Sequence, residues 1–97
     1  MVTVKWDGAT DTEEILAALL YFINDEDRAS CLAKSYGDFG KDLRKAHMNG
    51  GKGNGEYNIF GWSDRVEVTI SSKNIRYKLT WNKAAKLIHK HLHGERK

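Results

Sequence analysis

The sequence predicts an α+β domain: a small antiparallel sheet of three or four strands, with two or three N-terminal helices and one C-terminal helix packed on one face. Three observations carry that expectation. Val66-Glu67-Val68-Thr69-Ile70 and Ile75-Arg76-Tyr77-Lys78-Leu79 alternate apolar and polar residues with period two, and only Ser71-Ser72-Lys73-Asn74 separates them. Ile15, Leu16, Leu19, Leu20, Phe22 and Ile23 recur at helical spacing near the start, as do Trp81, Ala84, Ala85, Ile88 and Leu92 near the end. The length of 97 residues, with 40% hydrophobic side chains, suits a single domain over 1–97 built around one core.

Each element has its own justification. Val2, Val4 and Trp6 alternate with Thr3 and Lys5, a short half-buried strand that Asp7-Gly8 ends. Thr10 stands three residues before Glu13, a capping-box start for the first helix, whose apolar side chains span an arc of about 160° with Ala17 and Tyr21 opposite. Asn24 or Asp25 caps a second helix, in which Ala29, Leu32, Ala33 and Tyr36 follow helical spacing and Gly37 supplies a left-handed stop. Phe39, Leu43 and Ala46 suggest a short third helix carrying Lys41, Arg44 and Lys45. The run Asn49-Gly50-Gly51-Lys52-Gly53-Asn54-Gly55 reads as a mobile loop, because glycine gives the backbone freedom and nothing to pack. Tyr57 to Trp62 forms a strand ahead of the hairpin, where Val66, Val68 and Ile70 share a face with Ile75, Tyr77 and Leu79, and Glu67, Thr69, Arg76 and Lys78 face outward. Thr80 caps the closing helix, Gly94 ends it, and Lys83, Lys86 and Lys90 cluster opposite its apolar stripe, with Leu87 outside that stripe and available to a dimer contact.

Composition narrows the function. A lone Cys31 with no C-x-x-C or zinc-finger spacing excludes a disulfide scaffold and a structural-zinc module, and suits a reducing compartment. The apolar run Ile15 to Ile23 is about half of a bilayer span, so we expect a cytoplasmic protein with no signal peptide and no membrane association. Net charge is +3, distributed as −6 over residues 1–27 and +9 over residues 28–97. A basic two-thirds behind an acidic first third suits a surface for nucleic acid or for an acidic protein; it also suits two parts that neutralise each other across the fold.

Catalytic and metal motifs are weak. The glycine run lacks the G-x-x-x-x-G-K-[ST] of a phosphate loop, though Lys52 offers a phosphate or carboxylate contact. His89 and His93 stand at i, i+4 as zinc ligands do, but with no H-E-x-x-H glutamate and no assignable third ligand they read as polar residues at a helix end. Cys31 in a helix reads as a small packed hydrophobe as readily as a nucleophile, and Asp38, Asp42 and His47 with Arg44 or Lys45 form a nuclease-like set that any charged segment offers. We therefore expect no enzyme activity, no cofactor and no metal. The basic residues carry the functional expectation: Lys83, Lys86 and Lys90 on one helix, Arg76 and Lys78 on the outer hairpin face, and Arg44, Lys45 and Lys52 near the glycine run, joined into one positive surface with Trp62 as aromatic anchor and Tyr57 as a second stacking ring.

Two stretches add a family. Leu32-Ala33-Lys34-Ser35-Tyr36-Gly37, read as a helix end like F-L-K-x-E-Y-G, and Leu79-Thr80-Trp81-Asn82-Lys83-Ala84-Ala85-Lys86-Leu87-Ile88, which fits L-S-W-x-x-V-A-x-x-I at Leu79, Thr80, Trp81, Ala85 and Ile88, resemble the accessory domain of large polyvalent proteins. Ala84 stands where valine is usual, and Asp38 to Lys45 form a basic insertion where a Gly-Gly turn usually follows Tyr-Gly. The resemblance covers Ala29 to Leu92. It implies a protein of phages or conjugative elements in a bacterial host, where small stand-alone relatives are similar to anti-CRISPR proteins. The expectation is an inhibitor of host defence that binds a Cas9-type CRISPR effector or its guide RNA without catalysis. The alternative is a nucleic-acid-binding accessory module of element transfer or replication, and a third reading uses Asp7, Asp11, Glu13, Glu14, Asp25, Glu26 and Asp27 as a nucleic-acid mimic.

Overall fold

Strands of period two and helices of period 3.6 bury their apolar sides against each other, and the chain does this in two layers. The computed structural model describes residues 3–6 and 12–94, with side chains over 12–94. In chain order the elements are β1 (Thr3–Trp6), α1 (Thr12–Phe22), α2 (Asp25–Ala33), α3 (Tyr36–His47), β2 (Gly50–Gly53), β3 (Tyr57–Gly61), β4 (Val66–Ile70), a 3-10 turn (Ser71–Lys73), β5 (Ile75–Leu79) and α4 (Trp81–Leu92). The strands make one sheet in the order β1-β5-β4-β3-β2. β2 to β5 pair antiparallel, as the fold class requires, and β1 adds a fifth strand parallel to β5.

The hairpin follows its alternation. Val66 pairs with Leu79, Val68 with Tyr77 and Ile70 with Ile75, and the first five of these side chains are buried beneath the helices. Ile15, Ala18 and Leu19 of α1, Phe39 and Leu43 of α3, and Trp81, Ala84, Ala85 and Ile88 of α4 complete the core. Burial of such side chains stabilises by about 1.5–3 kcal/mol each, enough for a handful to decide where each helix lies. The outermost of these contacts are tied by polar groups: the Tyr77 hydroxyl donates to Glu14 at 3.1 Å, and Lys73 pairs with the same carboxylate.

Local signals set the helix starts. Asn24 and Asp27 cap α2 reciprocally, with Asp27 N–H donating to Asn24 at 2.8 Å and Asn24 N–H to Asp27 at 3.4 Å. The Ser35 hydroxyl accepts from Asp38 N–H at the start of α3, and the Thr80 hydroxyl accepts from Lys83 N–H at 3.1 Å at the start of α4. Thr10 and Val2 lie outside the described residues.

Several expectations are corrected. Ala29, Leu32, Ala33 and Tyr36 are exposed, and α2 instead turns Cys31 inward. Gly37 does not stop a helix but lies in the first turn of α3, which runs for twelve residues with Ala46 exposed. Most of the glycine run is not a loop: Gly50–Gly53 is edge strand β2, paired to Asn58–Gly61. Strand geometry there comes from β3, whose ladder groups supply the hydrogen bonds, and from glycines that let β2 lie close. A Cβ at Gly51 would sit 2.7 Å from the Phe60 ring. Leu87 is half-buried against the core rather than exposed.

Candidate nucleic-acid interface

The sheet has one face under the helices and one without them. The outer face holds two rows in register, Phe60-Glu67-Lys78 and Asn58-Thr69-Arg76 across β3, β4 and β5. Trp62 follows two residues after Phe60, on the same side by the strand period, and its N–H donates to the Arg65 carbonyl at 2.8 Å across the turn. Phe60 is 47% exposed and Trp62 41% exposed, side by side on a face that no described helix covers.

The charges around these rings are fixed in place. Arg65 lies with its guanidinium carbon 4.9 Å from the Trp62 ring centroid, and its Nε donates to Glu67 at 2.7 Å while Nη1 donates to Asp64 at 3.0 Å. Arg76 approaches the other Glu67 oxygen at 3.9 Å. Glu67 faces outward as the alternation predicts, and the two arginines cover it to 8% exposure. Its hydrogen bond raises the Arg65 pKa, keeping the guanidinium charged. A stack of arginine on an aromatic ring, held from behind by a carboxylate, leaves the opposite ring face and the remaining N–H groups open to a ligand.

On the helix side of the same edge, Gly61 is buried where the α3 terminus crosses β3. A Cβ there would run into the His47 carbonyl oxygen and within 3.0 Å of the Trp81 ring. Trp81 Nε1–H donates to the Trp62 carbonyl at 2.6 Å, tying the end of β3 to α4.

The expected basic residues do not form one surface. Trp62, Arg76 and Lys78 lie on the outer sheet face. Lys83, Lys86 and Lys90 lie on α4 in the helix layer, Lys86 and Lys90 exposed. Arg44 and Lys45 are exposed on α3, and Lys52 lies on the helix side of β2, lining a small cavity with Phe22 and His47. Tyr57 is half-buried against the core and contacts Tyr21, so it serves packing. Phe60 and Arg65 are the residues that sequence reasoning missed. The signal was the i, i+2 spacing of Phe60 and Trp62, with Arg65 opposite across a two-residue turn.

The catalytic and metal candidates have structural partners. His93 Nε2–H donates to the Cys31 carbonyl at 2.8 Å and His89 Nε2–H to the Lys34 carbonyl at 3.1 Å, so the two imidazoles, stacked 3.9 Å apart, satisfy carbonyls at the end of α2. Asp42 accepts from Ser30 at 3.1 Å and Lys34 at 2.5 Å, His47 pairs with Asp27 at 3.0 Å, and Asp38 accepts from Ser35. Burial raises the Cys31 thiol pKa, away from a reactive thiolate. No group of three or more metal-ligating side chains occurs among the described residues, and no described helix is long and apolar enough to cross a membrane. Compared with known protein families, curated proteins and solved structures, the chain matches none.

Proposed function

We propose that the protein acts by binding rather than catalysis, and that its ligand is a single-stranded nucleic acid laid across the outer sheet face. Phe60 and Trp62 supply stacking surfaces for successive bases, and Arg65, Arg76 and Lys78 supply phosphate contacts. The observation that carries the reading is the exposed aromatic pair on a sheet face without helices, with an arginine already seated on one ring. In the bacterial setting that the polyvalent-protein resemblance implies, the strand is the guide RNA of a Cas9-type effector, and occupying it inhibits the effector. A nucleic-acid-binding accessory module would use the same face for element DNA or RNA.

The test is binding of a labelled single strand to the protein and to Phe60→Ala and Trp62→Ala variants. Stacking contributes about 1–3 kcal/mol per base, so each variant is expected to weaken binding by about tenfold or more with unchanged circular dichroism. With three cations engaged, the logarithm of affinity should fall with the logarithm of salt at a slope of about −2. Full binding in both aromatic variants, with loss in Lys83→Glu/Lys86→Glu, would move the interface to α4.

A further inference from the structure

We propose that the cavity between α3, the start of α4 and the β3–β4 turn is a binding site for a phosphate group, borne by the end of a nucleic-acid strand or by a free mononucleotide. The cavity has a volume of about 300 Å³ and is lined by Lys41, Arg44, Ser63, Asp64, Thr80 and Asn82 over a floor of Gly40 and Trp81. That volume is at the lower end of small-molecule sites and admits one nucleotide.

Charge selects the ligand class. Lys41 and Arg44 stand three residues apart on α3 and project along the same side of the helix. Neither makes an ion pair among the described residues, whereas Lys34, Arg65, Lys73 and Arg76 are all paired. Facing them are the hydroxyls of Ser63 and Thr80 and the carboxamide of Asn82. The Thr80 oxygen accepts from Lys83 N–H and so keeps its own proton to donate. Asp64 is the one carboxylate on the lining, and Arg65 engages it at 3.0 Å. Two uncompensated cations beside neutral donors in a concave polar wall favour an anion with several oxygens and about two charges, which describes a phosphate monoester better than a carboxylate.

Position connects this cavity to the outer face. The Ser63-Asp64 turn is its rim, and the residues on either side of that turn are Trp62 and Arg65. A strand stacked on Trp62 therefore reaches the cavity with its terminal residue. The strand-end form of the inference rests on the nucleic-acid reading above, while the mononucleotide form stands without it.

The experiment uses one oligonucleotide with 5′-phosphate, 3′-phosphate or hydroxyl ends, and separately a nucleoside monophosphate. Affinity is measured for the native protein and for Lys41→Gln/Arg44→Gln, with amide chemical shifts followed at Ser63, Asp64 and Asn82. One phosphorylated end is expected to bind about tenfold tighter than the hydroxyl-ended strand, and the double variant to abolish that difference while retaining hydroxyl-ended binding. If the nucleic-acid reading fails, no strand binds, yet the monophosphate alone shifts those amides and the double variant removes the shifts. An end preference that survives the double variant overturns the proposal, as does the absence of amide shifts with every probe at millimolar concentration.

Discussion

At Gly61 a single hydrogen atom fills the space that any other side chain would need. The His47 carbonyl and the Trp81 ring close over the position, so both the crossing of α3 over β3 and the seating of Trp81 depend on it. Gly61→Ala is expected to destabilise the protein by about 1–3 kcal/mol, because backbone rather than a flexible side-chain tip must move. Urea denaturation measures this directly. Cys31 makes the complementary point about reactivity: the side chain is fully buried and its thiol pKa is raised, so a thiol reagent should label the native protein slowly and the unfolded protein fast. Equal labelling rates in the two states would contradict the packing of α2. Sequence pattern chose the wrong residues of this helix, because Ala29, Leu32, Ala33 and Tyr36 have the spacing of a buried stripe. With only Cys31 turned inward, α2 is held less by an apolar face than by its cap and by the two histidines on its last carbonyls. Those forces leave no periodic trace.

Among the elements, α1, the β4–β5 hairpin and α4 were legible because each buries several side chains at a regular period. The full length of α3 and the strand β2 were not, for opposite reasons. Gly37 looks like a stop, yet it lies within α3, where Gly40 has the Ala85 Cβ and the Asn82 carboxamide just beyond where its own Cβ would stand and so admits the close approach of α3 to α4. β2 has almost no side chains to show a strand, and its partner β3 imposes the geometry. The junction of α2 with α3 carries a pH-dependent prediction. The Asp42 pKa is lowered from the usual carboxylate value by hydrogen bonds from Lys34 and Ser30, and the contact with Asp42 raises that of Lys34. The depressed Asp42 value makes its contribution present above the ordinary carboxylate pKa and lost as pH falls through the lowered one. For Lys34 the contribution is present below the ordinary lysine pKa and lost as pH rises through the raised one. Asp42→Asn should therefore be less stable than the native protein near neutrality and indistinguishable from it in strong acid. Thermal melts of the two across acid pH check this, and a constant difference down to the lowest pH would refute it.

For the whole molecule, the acidic beginning and basic remainder of the chain are interleaved rather than set apart. Asp27 meets His47, and Glu14 meets Lys73. A nucleic-acid mimic made of the first third has thus lost part of its charge to internal pairs, while the outer sheet face keeps its rings and guanidiniums together. The inhibitor proposal is tested on target-DNA cleavage by a Cas9 enzyme, with the protein added before or after guide loading. Cleavage should be lost only when it is added first, and Phe60→Ala/Trp62→Ala should restore it. Unimpaired cleavage in both orders, across several Cas9 types, would leave the accessory-module reading in possession of the same face.

The pairing of β1 with β5 has a consequence in time. Thr3 lies opposite Ile75, so about three-quarters of the chain intervenes between the two strands. During synthesis the first strand emerges long before its neighbour exists, whereas β3, β4 and β5 each pair with the strand next to them in sequence. Closing so long a span is entropically slow, and topologies rich in such distant pairings fold late and slowly. The platform on β3 to β5 can therefore assemble as an antiparallel unit before its far edge is sealed, and β1 acts as the closing piece that removes an unpaired edge from β5.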